Sequence, residues 1–213
     1  MADAEGRIIT ARLQEFFLKI LSPLIHLLTK WKVSPNTITL AGLFITVLSA
    51  VAFTFGHIRL GGFLVLLGGL CDTFDGCVAR STGKTTRHGA FFDSVIDRYS
   101  ELIMFFGVTG HFIRIHDYLT ATVLFFALCG SIMVSYCRAR AESLGFDAKA
   151  GIMQRAERII LLGFGALIHI TALKIAIWLI AILSNLTALQ RIRQVYRQET
   201  NPIKHKENIE TGE

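Results

Sequence analysis

Val33 to Gly56 is a run of 24 residues without one Asp, Glu, Lys or Arg, and Tyr118 to Cys137 is a second such run of 20. About 20 apolar residues in a helix cross roughly 30 Å of hydrocarbon, whereas a soluble helix breaks such runs because one face meets water. Charged residues make up only 18% of the 213, against about 25% in soluble domains, and 52% are hydrophobic. That composition excludes a disordered chain. The four cysteines, Cys71, Cys77, Cys129 and Cys137, sit singly in apolar runs with no CxxC pair, which predicts buried, reduced thiols rather than a disulfide framework. The chain reads as an all-α, polytopic membrane protein.

Ser34-Pro35 supplies an N-cap and a first-turn proline for the first span. Ile159 to Leu173 and Ile175 to Gln190 flank the single charge of Lys174, which predicts a helical hairpin with Lys174 at its outer turn. Two further segments are interrupted. Leu60 to Cys71 holds only 12 uncharged residues, and the apolar stretch after Gly89 contains Asp93, Asp97, Arg98 and Glu101. Charge asymmetry resolves them. With six spans, 18 of the 22 Lys and Arg fall in the N-terminal segment, the loop around Lys84 and Arg87, the region Arg138–Arg158 and the C-terminal tail. Arg59, Arg114 and Lys174 fall on the other side and Arg98 within a span. This is the positive-inside pattern, so both termini are expected in the cytoplasm.

The polar start, Met1 to Arg12, predicts no cleavable signal peptide. Between residues 8 and 32, polar side chains at Arg12, Glu15, Lys19, Ser22, His26 and Lys30 alternate with large apolar ones at helical spacing. An amphipathic helix lying in the membrane interface is expected there, kinked at Pro23. The predicted organisation is a cytoplasmic N-terminus with that helix over 1–32, a six-span catalytic membrane domain over 33–196, and a polar tail over 197–213. The net charge of +6 has no basic stripe interleaved with aromatics, so nucleic acid is not an expected partner.

The acids inside the interrupted segments carry the chemistry. Cys71 to Arg98 reads CDTFDGCVARSTGKTTRHGAFFDSVIDR. Asp72 and Asp75 share one helix face, Asp93 and Asp97 another. A short basic turn joins the two helices, which predicts antiparallel neighbours whose four carboxylates converge near the cytoplasmic surface. Four ionised carboxylates in a low-dielectric site require compensating cations. An oxygen-only donor set without nearby Cys or His ligands suits Mg²⁺ or Mn²⁺, and two such ions would clamp a phosphate or diphosphate. Gly76 and Gly89 leave room beside the acids, and Arg80 can pair with a phosphate. Acid clusters also line cation pathways, so a divalent-cation transporter is a second reading from these residues alone.

Asp72-x₂-Asp75-Gly76-x₂-Ala79-Arg80-x₈-Gly89-x₃-Asp93-x₃-Asp97 resembles the signature of the CDP-alcohol phosphotransferases at every fixed position. The resemblance implies a membrane enzyme, usually a homodimer, that transfers a phosphoalcohol group from a CDP-alcohol such as CDP-diacylglycerol to a second alcohol and releases CMP. It implies that Asp72, Asp75, Asp93 and Asp97 bind metal, with Asp97 also the general base. Gly76, Ala79 and Arg80 match positions lining the nucleotide site, and Pro35-Asn36-x₂-Thr39 resembles the first-span motif near the nucleotide. No Ser, Cys or His stands in the motif as an obvious nucleophile, so direct displacement is expected.

The acceptor is to be read in Ser135-Tyr136-Cys137-Arg138-Ala139-Arg140-Ala141-Glu142 and Gln154-Arg155-Ala156-Glu157-Arg158. Arg138, Arg140, Arg155 and Arg158 could surround an acceptor that carries its own phosphate, or anchor the bundle at lipid headgroups. These segments resemble those of the phosphatidylinositol-phosphate synthases, implying inositol 1-phosphate as acceptor. Glycerol 3-phosphate and free inositol remain as alternatives.

Overall fold

The computed structural model of the chain describes residues 26, 29–30, 33–81, 83, 86–148 and 150–200. Within them lie six helices: α1 (Pro35–Thr54), α2 (Ile58–Ser81), α3 (Arg87–Arg114), α4 (Tyr118–Ser143), α5 (Arg155–Ile168) and α6 (Ile170–Thr200). Four of them, α1, α2, α4 and α6, are long and apolar enough to cross a membrane. The predicted interfacial helix over 8–32 lies outside the described residues except for His26, Thr29 and Lys30, as does the tail from residue 201.

Local chemistry starts the helices where the sequence signals them. Ser34 caps α1, accepting from the Thr37 N–H at 3.2 Å, with Pro35 in the first turn. Thr86 accepts from the Gly89 N–H (2.9 Å) at the head of α3, and Asp117 from the Thr120 N–H (3.1 Å) at the head of α4. Each cap satisfies an N–H that the first helical turn leaves unpaired.

Three expectations are corrected by packing. The two motif helices are not close-packed neighbours. α1 packs along both α2 and α3, while α2 and α3 make few direct contacts and leave a gap between them. The α5–α6 hairpin turns at His169, a single extended residue, and not at Lys174. Gly165 makes this possible, because its bare Cα lies against Leu173 and Ala176 of the returning helix. Lys174 instead lies in the second turn of α6 and pairs with Asp117 at 2.6 Å. The cysteines are free as expected but not deeply buried: Cys129 is exposed and the other three are half-buried.

The hydrophobic core joins Phe53, Phe105, Phe112, Leu124, Leu162 and Ile177, contributed by five of the helices. Close approach depends on small residues. Gly107 of α3 sits on Ala50 of α1, and a Cβ at Gly62 of α2 would lie 2.8 Å from the Gly163 carbonyl of α5. Small residues let helix backbones meet where surrounding lipid supplies no hydrophobic drive. Outward, Phe44, Phe106, Phe125, Leu119 and Ile182 are exposed, a surface suited to lipid and not to water. With the apolar helices, this makes the chain a membrane protein.

Candidate active site

The gap between α2 and α3 is the site. It is walled by α1, α2, α3 and α5. Asp72 and Asp75 from α2 and Asp97 from α3 line it, with Thr39 from α1 and Arg155 from α5. One carboxylate oxygen from each of Asp72, Asp75 and Asp93 lies within 4.8 Å of the others. Three of the four carboxylates expected to converge are thus brought together, across a cleft propped open by α1.

Each acid has a distinct environment. Asp75 is buried and accepts from Thr39 Oγ1 at 2.6 Å, so Thr39 orients a candidate metal ligand. Asp93 Oδ1 is buried without a hydrogen-bond partner among the described residues. An orphaned carboxylate oxygen facing two other acids is a mismatch that a divalent cation would remove. The donor set therefore fits Mg²⁺ or Mn²⁺. Asp97 lies outside this trio and is joined to it through Arg155, whose Nη1 bridges Asp97 Oδ1 (2.6 Å) and Asp72 Oδ1 (2.8 Å). Arg98 Nη1 lies 3.5 Å from Asp97 Oδ2.

The other sequence candidates divide. Asn36 lies near the head of α3, its Oδ1 3.9 Å from where a Cβ on Gly89 would stand. Gly76 leaves room that the Arg80 guanidinium approaches, and Arg80 Nη2 donates to Cys77 Sγ at 3.4 Å. Ala79 is half-buried beside them on α2. Of the four acceptor candidates, only Arg155 reaches the cleft. Arg138 is exposed and paired with Glu142 at 2.8 Å, and Arg140 is exposed beside Ser143. Arg158 is 0% exposed; its Nε donates to Glu101 Oε1 at 2.6 Å, while its Nη2 is buried without a hydrogen-bond partner among the described residues.

Two features escaped the sequence reading. Glu101 was legible only as one more acid in α3, yet it lines the deep end of the cleft. Arg191 read as part of a basic C-terminal region, but it is 3% exposed and donates to the carbonyls of Ala150 (3.0 Å) and Val134 (2.5 Å). Thr187, Arg191, Gln194 and Gln198 form one stripe on α6, at steps of three and four. The stripe holds the backbone of Met153, Ala150 and Asp147, the loop that delivers Arg155.

Residues 32–189 match the family described as CDP-alcohol phosphatidyltransferase. The chain belongs to that family. It is 39% identical over 168 residues to an archaetidylinositol phosphate synthase of Pyrococcus horikoshii, covering 78% of this chain and 85% of the relative. It is 34% identical over 196 residues to a phosphatidylinositol phosphate synthase of Streptomyces avermitilis, covering 86% and 80%. The crystal structure of Mycobacterium tuberculosis phosphatidylinositol phosphate synthase with CDP-DAG bound superposes with a TM-score of 0.76 at 30% identity, covering 84% of this chain and 94% of that one. Another structure of the same protein is a complex with manganese and citrate (TM-score 0.74). Family membership decides between the two sequence readings: the chain is a phosphotransferase of phospholipid synthesis and not a cation transporter.

Proposed function

We propose that this enzyme transfers the phosphatidyl-type group of a CDP-lipid to inositol 1-phosphate and releases CMP. The observation that carries the acceptor is Arg155, a guanidinium inside the cleft that touches Asp72 and Asp97 through one nitrogen. A guanidinium recognises phosphate through paired N–H donors, and Nε of Arg155 is a buried donor still without a partner among the described residues. The names of the relatives point the same way: they share an inositol phosphate head group and differ in the lipid.

Asp72, Asp75, Asp93 and Asp97 would hold Mg²⁺ or Mn²⁺, two ions in our reading. When bound, such ions supply Lewis-acid neutralisation of the diphosphate and of the departing CMP. The nucleotide lies against Gly76, Ala79 and Arg80, with Asn36 at the mouth, while Thr39 fixes Asp75. A carboxylate oxygen of Asp97 takes the proton as the acceptor hydroxyl attacks the phosphorus that carries the lipid alcohol. A new P–O bond forms to the acceptor, the P–O bond to CMP breaks, and CMP leaves. Direct displacement is favoured because no histidine lines the cleft to activate its hydroxyls, and two of them are engaged. Thr39 donates to Asp75 and Thr46 to the Gly42 carbonyl, with no histidine among the lining residues to activate either.

We place the site at the cytoplasmic face of a six-span bundle. α5 forms the fifth crossing, and a homodimer is expected. The deciding experiment is a CMP-release assay with CDP-diacylglycerol or an ether-linked CDP-lipid, offered inositol 1-phosphate, glycerol 3-phosphate, free inositol and serine. Turnover with inositol 1-phosphate alone supports the reading. Arg155→Ala should raise the acceptor KM about tenfold or more while leaving that of the CDP-lipid nearly unchanged. Equal turnover of free inositol, or equal KM changes for both substrates, removes the phosphorylated acceptor.

A further inference from the structure

The loop between α4 and α5 is tied down by side chains, mostly from α6, at every third residue. Gln198 Oε1 accepts from the Asp147 N–H (3.0 Å), and its Nε2 donates to the Asp147 carbonyl (2.7 Å). Gln194 Oε1 accepts from the Ala150 N–H (3.2 Å), and Arg191 Nε donates to the Ala150 carbonyl (3.0 Å). Thr187 Oγ1 accepts from the Met153 N–H (3.1 Å), and Arg158 Nη1 donates to the Met153 carbonyl (3.3 Å). At Asp147, Ala150 and Met153 both backbone groups are therefore taken up by side chains. A loop ordinarily leaves such groups to water, whereas Ala148 and Met153 are buried here, as is Thr187.

The spacing sets a register. Thr187, Arg191, Gln194 and Gln198 recur at steps of four, three and four, so they share one face of α6. The loop passes them in reverse order, Gln198 first and Thr187 last, and so runs antiparallel to the helix. From Thr187 to Gln198 the helix rises about 16 Å, and the chain from Asp147 to Met153 spans about 20 Å when fully drawn out. The strap has little slack, and it cannot slide along α6 without losing its three attachments together. Gly151 tightens the fit, because at φ 140 its bare Cα lies against Thr187 Cγ2, where no Cβ would fit. Directly after the last attachment come Gln154, the cap of α5, and Arg155, its first residue. The nucleotide-side candidates Asn36, Gly76, Ala79 and Arg80 stand on α1 and α2, which none of these hydrogen bonds reaches.

We propose that Thr187, Gln194 and Gln198 are positioning residues: they hold the loop in register on α6 and so fix where the first turn of α5 presents its arginines to the acceptor. That these arginines meet the acceptor rests on the proposed inositol 1-phosphate reading, whereas the setting of the loop does not. Without the attachments the loop opens to water and the start of α5 loses its fixed height against α2 and α3. The acceptor then binds more weakly, while the CDP-lipid half of the cleft keeps its shape.

The test compares wild type with Gln194→Leu/Gln198→Leu, which keeps side-chain bulk and removes both amides, each protein purified in detergent. Hydrogen exchange read by mass spectrometry follows the peptide spanning 145–153. CMP release gives KM for inositol 1-phosphate and for CDP-diacylglycerol. Exchange in that peptide should quicken about tenfold or more, with peptides from α1 to α3 unchanged. KM for inositol 1-phosphate should rise about tenfold, that for the CDP-lipid staying within about twofold. Unchanged exchange overturns the proposal, and so does faster exchange with both KM values unchanged or raised equally. Should the double variant fail to fold, Thr187→Val and Thr187→Ser decide in its place. A raised acceptor KM in the valine variant that serine restores supports positioning, and any other outcome overturns it. If the wild type turns over another acceptor in place of inositol 1-phosphate, the function reading fails, and the KM of the acceptor it does use decides the positioning by the same criteria.

Discussion

Thr39 shows how much one hydroxyl can do. It was legible as a first-span residue near the nucleotide, and its contact with Asp75 at 2.6 Å gives it a different task, holding a carboxylate in a ligating pose. Groups that orient metal ligands are typically worth 10- to 100-fold in metal affinity or activity. Thr39→Ala should therefore lower CMP release by about tenfold or more, and Thr39→Ser should restore most of it. Asp93→Asn should lose roughly a hundredfold or more, since it removes an anionic ligand for the divalent cation the cluster would hold. Chelation with EDTA should abolish turnover, with recovery on adding Mg²⁺ or Mn²⁺. The aspartates were legible because their spacing and the helical period together dictate a shared face. Arg158 was not, because the i, i+3 spacing puts it on the same face as Arg155 and nothing local says which of the two reaches the cleft.

Among the elements, the fit of α1 against both motif helices is what keeps the cleft open. Gly107 sits on the Ala50 backbone. Gly107→Ala should overpack this contact, cost about 1–3 kcal/mol, and lower the Tm in detergent. At the opposite end of the bundle, Asp117 caps α4 and meets Lys174 from the start of α6. The hydrogen bond from Lys174 holds the Asp117 carboxyl below the usual carboxylate range. A depressed folded value contributes stability that is present above the unfolded value of about 3.9 and lost as pH falls through the folded one. Lys174 is 40% exposed, so the pair is screened and small, of order 0.5 kcal/mol. Lys174→Ala should lower the Tm slightly at pH 7, with the difference fading below about pH 4. No difference at pH 7 would show that the pair is fully offset by solvent. The helix starts at Ser34, Thr86 and Asp117 could be read from side chains that act within three residues. The turn at His169 could not, because it depends on Gly165 meeting the returning helix.

For the molecule as a whole, the placement of positive charge and of the cleft makes one claim about sidedness. Arg193 near the end of α6 and Ile115 between α3 and α4 are both exposed, and lie at opposite ends of the bundle. In a background without the four cysteines, Arg193→Cys should react with a membrane-impermeant maleimide only in inside-out vesicles. Ile115→Cys should react only in right-side-out ones. Labelling of both from one side would contradict six crossings. α6, at 31 residues, is about 46 Å long, longer than the hydrocarbon core needs. Its excess carries the stripe of Thr187, Arg191, Gln194 and Gln198 that fastens the loop before α5.

Hydropathy, charge asymmetry and the spacing of four aspartates were enough to read a polytopic helical membrane protein with a candidate divalent-cation site, because each depends on the helical period or on transfer from water; the enzyme was read from the resemblance of the motif to a family. Which arginine enters the cleft, which is buried with Glu101, and that α1 separates the two motif helices came only from the folded arrangement. These facts depend on how helices distant in sequence are rotated against one another, and a helix carries no local record of the partner that fixes its rotation.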